Sequence, residues 1–142
     1  MKILRYLQKD ARTSLRDIAE ELGVSPTTIS NRVKNLEKIG IIEKFSLKVD
    51  LPKLGYGLTA IINLKAHGNS IPEVVQKIND HPHVTHVYEV TGDFDILVIG
   101  KFKNREEMNR EIKDLLSNPN IEETNTSVVL STVKEYENSG LI

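Results

Sequence analysis

The chain has no cysteine and no tryptophan, aromatic residues make up only 5% of its 142 residues, and its formal net charge is −1. Without thiols, neither a disulfide framework nor a thiolate metal site can form. No apolar run approaches the roughly 20 residues of a membrane-spanning helix. The N-terminus lacks the pattern of a signal peptide, so the protein is expected in the cytoplasm with no membrane partner. Taken whole, the near-zero charge gives no hint of a polyanionic partner. With 39% hydrophobic residues the chain suffices for one ordinary domain or two small ones.

Splitting the chain at Asp50 uncovers an asymmetry. Residues 1–50 carry ten Lys and Arg against seven Asp and Glu, a balance of +3, whereas residues 51–142 carry nine against thirteen, a balance of −4. A basic reader joined to an acidic remainder is expected where only one end meets DNA. The junction is Leu51-Pro52-Lys53-Leu54-Gly55-Tyr56-Gly57, whose proline and two glycines interrupt both helical and strand periodicity. The expected organisation is therefore an N-terminal domain over 1–50, a linker over 51–57 and a second domain over 58–142.

Residues 14–48 carry the densest set of signals. Ser14 and Asp17 have the spacing of a capping box, and Leu15, Ile18, Ala19 and Leu22 recur at helical intervals along one face. Gly23 ends that helix, and Ser25-Pro26 restarts another at once, since serine caps free amides and proline's φ suits a first turn. Two helices so close in sequence cross steeply, as in a helix-turn-helix. In the second, Ile29, Val33 and Leu36 form the inner face. Thr27, Asn31, Lys34 and Lys38 then point outward, with Thr28, Ser30, Arg32 and Asn35 on the flanks.

Hydroxyls, amides and cations are the groups that reach base edges and phosphates. Any surface helix has a polar outer face. The tight turn, the Ser-Pro restart and the near absence of acids together favour DNA. The expected roles are base reading for Thr27, Thr28, Asn31 and Asn35, and phosphate binding for Ser25, Ser30, Arg32, Lys34, Lys38, Lys44 and Lys48. Residues 41–50, with apolar Ile42 and Leu47 and a possible turn near Phe45 and Ser46, read as a strand or small wing. Before this motif, Leu4 and Leu7 give an apolar stripe, but Met1 falls nearly inside that helix, which is therefore expected to be short and without an N-terminal cap.

Beyond the linker the elements alternate. A strand is expected over 58–66, a helix from a capping Ser70 with Ile71, Val74, Val75 and Ile78 inward, and a strand over 84–90 after Pro82. A Gly92-Asp93 turn leads to the most apolar strand, 94–102, expected to be central and covered on both faces. A helix over 105–116 follows, with Met108, Ile112, Leu115 and Leu116 inward, and then a last strand over 121–133. The order βαββαβ is the ferredoxin-like unit, with both helices on one face of an antiparallel sheet. The other face would stay uncovered in a monomer, so a homodimer is expected.

This α+β combination, a winged helix-turn-helix followed by a ferredoxin-like βαββαβ domain, resembles the Lrp/AsnC (feast/famine) transcription regulators. The likeness rests on Leu22-Gly23-Val24-Ser25 before the recognition helix, Arg32-Val33 and Leu36-Glu37 within it, and Gly40-Ile41-Ile42 after it. It rests equally on Val90-Thr91-Gly92-Asp93-Phe94-Asp95 between two strands and on Thr124, Thr126 and Leu130 of the last strand. The resemblance covers essentially the whole chain. It implies double-stranded operator DNA as partner and a homodimer that often assembles further, to tetramer or octamer. It also implies an amino acid or related metabolite as effector, held near Thr91, Gly92, Asp93, Asp95, Thr124 and Thr126. Those residue types suit an amino acid: Asp pairs an ammonium, and glycine amides and threonine hydroxyls bind a carboxylate. A Gly-Asp pair between strands is equally a plain hairpin signal, and Asp95 can serve by bonding the turn backbone.

Other chemistries are less well supported. His81, His83 and His86 would have to converge to bind metal, whereas an odd spacing sends His83 and His86 to opposite faces, so no metal site is expected. Proteins of the same two-domain build decarboxylate tetrapyrroles, but such an enzyme needs converging His, Arg or Tyr groups and no exposed Thr-Asn-Lys face. Neither catalysis nor a cofactor is expected. A metabolite-sensing module whose N-terminal domain binds protein is the remaining alternative.

Overall fold

The computed structural model describes residues 1–135, which divide into two compact units. One comprises Met1–Lys48 with Lys134 and Glu135, the other Val49–Val133. Residues 136–142, the end of the expected second domain, lie outside the described residues. No helix among the described residues is long and apolar enough to cross a membrane.

The first unit holds α1 (Lys2–Lys9), α2 (Leu15–Leu22) and α3 (Pro26–Lys38). Their ends follow the local chemistry. Ser14 Oγ accepts the Asp17 N–H at 3.1 Å, Gly23 leaves α2 at φ +65°, and Ser25 Oγ accepts the Thr28 N–H at 3.2 Å. Met1 caps α1 with no side-chain hydrogen bond. Ile3, Leu7, Ile18, Ala19, Ile29 and Val33 interlock as the core, with Leu15, Leu22, Val24 and Ile42 packed against them.

The stretch expected as a strand or wing, 41–50, contains no strand. The Ile41 and Ile42 N–H groups both bond the Leu36 carbonyl, which closes the helix end, and residues 43–50 run irregularly and exposed. A strand needs a partner for its ladder, and this unit supplies none among its described residues. Apolar alternation is present at Phe45, Leu47 and Val49, yet Leu47 is 86% exposed.

The second unit runs β1 (Leu58–Ala66), α4 (Ile71–Asn79), β2 (Val84–Glu89), β3 (Ile96–Phe102), α5 (Arg105–Leu115) and β4 (Ile121–Val128), with strands in the order β2-β3-β1-β4, all antiparallel. Ala60, Ile62 and Leu64 of β1 and Ile96, Val98 and Phe102 of β3 share the face that meets Val74, Ile78, Met108, Ile112 and Leu115 from the helices. Strand β3 is central, but the helices cover only one of its faces. On the other, Leu97 and Ile99 remain half-buried.

One cap and two strand ends differ from expectation by more than a single residue. Ser70 makes no cap hydrogen bond, because it ends a short 3-10 turn (Gly68–Ser70) ahead of α4. Strand β3 starts at Ile96, since Phe94 and Asp95 belong to the turn. Strand β4 stops at Val128: after the Val129 N–H reaches the Thr59 carbonyl, β1 has almost no residues left to pair with. A bulge at Thr85 shifts the register of β2 against β3, placing His86 opposite Ile99 and Val87 opposite Val98.

Candidate functional site

On α3, burial of Ile29 and Val33 turns the opposite side to solvent, where Thr27, Asn31, Lys34 and Lys38 stand exposed with Arg32 and Asn35 beside them. Among the described residues Arg32, Lys34, Lys38 and Lys44 have no ion pair, so each is available to an external phosphate. A groove of about 730 Å³ lies between this helix and the start of α1. Its floor is Ile3, Leu22, Val24 and Leu36, and Asn31, Arg32 and Asn35 rim it. The polar face thus has two sides: Asn31, Arg32 and Asn35 border the groove, and Thr27, Lys34 and Lys38 do not.

Three of the residues expected to touch DNA are already engaged. The Ser25 and Thr28 hydroxyls lie 2.8 Å apart, and Ser25 also accepts the Thr28 amide, so this pair is a helix cap with a single hydroxyl proton left to offer outward. Lys48 Nζ donates to the Glu135 carbonyl at 2.9 Å. Ser30 is only partly exposed. The Ser-x-x-Thr spacing could have disclosed the hydroxyl pair in advance. The Lys48 contact spans a separation of 87 residues and had no local signal.

In the second unit, Thr91, Gly92 and Asp93 form an exposed turn in which Gly92 adopts φ +117°, a conformation that favours glycine. Asp95 faces inward. Its Oδ2 accepts the Ala66 N–H at 3.0 Å, its own N–H donates to the Leu64 carbonyl at 2.9 Å, and its carbonyl accepts the Val90 N–H. Thr124 pairs with Leu64 and Thr126 with Ile62 across β1, so the turn and these threonines flank opposite sides of one strand. Two strand spacings separate β3 from β4, roughly 10 Å. Within one chain the six residues therefore share an end of the sheet without closing on a single point. Thr126 borders a shallow hollow against α5, with Met108, Ile112 and Lys113.

The histidines separate. His81 Nε2 lies 3.4 Å from Glu111 Oε2 and His83 Nε2 3.9 Å from Glu107 Oε1, both toward α5. His86 sits on the other side of the sheet, stacked with Tyr88. Among the described residues no three His, Asp or Glu side chains converge closely enough to hold a metal ion.

Comparison with known proteins agrees with this geometry. Residues 1–43 match the winged helix-turn-helix DNA-binding family and residues 59–139 the Lrp/AsnC ligand binding domain. An uncharacterized HTH-type transcriptional regulator of Pyrococcus horikoshii is 52% identical over 134 residues, covering 94% of this chain and 90% of its own. The structure of Escherichia coli AsnC superposes with a TM-score of 0.91 at 27% identity, covering 95% of this chain and 92% of that one. A transcriptional regulator of Neisseria meningitidis, solved as a complex with L-methionine, shares the fold with a TM-score of 0.90 at 24% identity, covering 96% and 90% of the two chains. The chain belongs to the Lrp/AsnC family and is a DNA-binding transcriptional regulator of that type.

Proposed function

We propose that a homodimer of this chain lays its two α3 helices in successive major grooves of a pseudo-palindromic operator. Thr27, Asn31 and Asn35 then read base edges, Arg32, Lys34, Lys38 and Lys44 hold phosphates, and the Ser25–Thr28 cap supplies one further hydroxyl donor. The observation that carries this reading is the outer face of α3, where unpaired cations and amides stand exposed over a buried Ile29 and Val33. A net charge of +3 on residues 1–50 is modest for tight binding by one copy, so dimerisation is part of the proposal. The uncovered face of the sheet, where Ile61, Leu97 and Ile99 are half-buried and Tyr88 is 50% exposed, supports a second copy as its cover.

The effector in this reading is an amino acid, as the L-methionine complex of the Neisseria relative suggests. Thr91, Gly92 and Asp93 offer the contacts at the turn, Asp95 shapes it from behind, and Thr124 and Thr126 complete a site only where another copy brings groups together. The reading contains no catalytic step: the imidazoles of His81 and His83 face Glu111 and Glu107 rather than a shared cavity. The protein acts on DNA in the cytoplasm.

Selection of bound fragments from random or genomic DNA is the decisive test. Recovery of a two-fold motif with half-sites on one face of the duplex is expected; recovery of no common motif refutes the reading. Sedimentation over a dilution series checks the dimer, and a stable monomer would remove it. Titration with a panel of L-amino acids should raise the unfolding temperature for at least one of them.

A further inference from the structure

We infer that the groove between α3 and the start of α1 is a binding site for a small carboxylic acid with an apolar body, and that an acid seated there competes with DNA for the same side of the reading helix. The competition rests on the DNA reading above; the binding does not.

The floor is aliphatic and only partly covered. Ile3 is 6% exposed, while Leu22, Val24 and Leu36 beside it are half-buried, so their remaining apolar surface lines the groove. The backbone beneath them is fixed. Past the left-handed Gly23, the Val24 N–H bonds the Ala19 carbonyl at 3.0 Å, and the Leu36 carbonyl accepts the Ile41 and Ile42 N–H groups at 2.9 and 3.1 Å. A volume of about 730 Å³ falls within the range of roughly 300–1,000 Å³ that small-molecule sites occupy, and an apolar floor with a few polar groups at the rim is their usual make-up.

The rim decides the class of ligand. Lys2 and Arg32 both line the groove, both are exposed, and neither has an ion pair among the described residues. No Asp or Glu lines it. Asn31 and Asn35, one helical turn apart and exposed, add amide donors, whereas the nearby Thr28 hydroxyl is engaged with Ser25 at 2.8 Å. Two cations and two amides above an aliphatic floor complement a carboxylate carried on an apolar body. The guanidinium of Arg32 can take both carboxylate oxygens at once. An amine on the same body would meet like charge, and a neutral amide would forgo the charge-assisted bonds. Because Asn31, Arg32 and Asn35 are also the groups proposed to meet DNA, a bound carboxylate occupies the guanidinium and sets a negative charge where a phosphate must come.

The test titrates the full chain with octanoate, and with octanamide as the uncharged control, following the methyl resonances of Ile3, Leu22, Val24 and Leu36. Octanoate should shift these methyls saturably and bind about tenfold more tightly than octanamide. Arg32→Ala should weaken it about tenfold and Lys2→Ala about threefold. Asn35→Asp, which adds a negative charge at an exposed position without changing its size, should abolish it. Lys34→Ala, on the side of α3 away from the groove, should bind octanoate as wild type does. In a separate titration of a selected operator fragment, octanoate at about ten times its dissociation constant should weaken DNA binding about tenfold, and octanamide at that concentration should not. Shifts confined to the sheet unit, equal response to octanamide, or full octanoate binding by both Arg32→Ala and Asn35→Asp overturns the site. So do groove methyls that respond to protein concentration and not to octanoate, since a second copy is then the occupant. Saturable binding with unchanged affinity for DNA overturns the competition. If the unaltered chain binds no fragment at all, the DNA reading falls, and the site is judged by the octanoate titration alone.

Discussion

Replacing Asp95 should destabilise the sheet unit even where no ligand is present. The carboxylate is the acceptor for the Ala66 N–H at 3.0 Å, at the point where the β1–β4 register shifts and Ala66 is 6% exposed. Removing the acceptor leaves a buried donor unpaired, which costs roughly 1–3 kcal/mol. Asp95 is itself half-buried, so water screens its charge, and the expected net loss for Asp95→Ala is about 1–2 kcal/mol. In a unit the size of Val49–Val133 each kcal/mol lowers the midpoint by about 4–8 °C, so the melt should fall by roughly 4–16 °C. Asp95→Asn keeps an oxygen in place and should lose less than half as much. Thermal unfolding followed by circular dichroism, without and with a saturating amino acid, separates the two roles of this residue. A melt for Asp95→Ala within about 1 °C of wild type would refute the structural assignment. If the ligand-linked gain also vanished in that variant, Asp95 would be a ligand group after all.

Other outcomes follow from the same geometry. Ser25→Ala removes the cap of α3 and should cost about 1 kcal/mol in a urea titration, with weaker binding to every DNA sequence tested. Lys34→Ala should lower affinity uniformly across sequences and reduce the slope of log K against log salt by about one; a change of sequence preference with the slope intact would contradict its phosphate role. Gly100→Ala pushes a Cβ against the Phe102 ring and should cost roughly 1–3 kcal/mol. Combining it with Phe102→Leu should be less than additive, because the second change withdraws the ring that the first one strikes.

Local rules carried most of the architecture. Helical spacing of Ile18 with Leu22 on α2 and of Ile29 with Val33 on α3, the caps at Ser14 and Ser25, the left-handed Gly23 and the two-residue alternation through Ile62 and Leu64 each concern groups within a few residues of one another. Such short-range energetics are written directly in the chain. The polar face of α3 was legible for the same reason, since it is what remains when the buried face is subtracted.

What the sequence could not decide were matters of partnership. Residues 43–50 alternate like a strand but have none to pair with in their own unit. Asp95 reads equally as a ligand group and as a bond to the turn backbone until the fold brings the Ala66 amide to it, and Lys48 reads as a phosphate contact with no local sign that one of its three donors goes to the Glu135 carbonyl. Tyr56, His83 and Phe102 lie in a linker, a loop and a strand, and nothing in their spacing foretells that their rings stack. A side chain's local propensity is set by its neighbours along the chain, whereas its function is set by which distant donor, acceptor or ring the closed fold delivers within a few ångströms. By itself the sequence determined a helix-turn-helix reader and a βαββαβ sheet; only the tertiary structure decided which of their polar groups are already spent on holding the fold and which stay exposed at its surface.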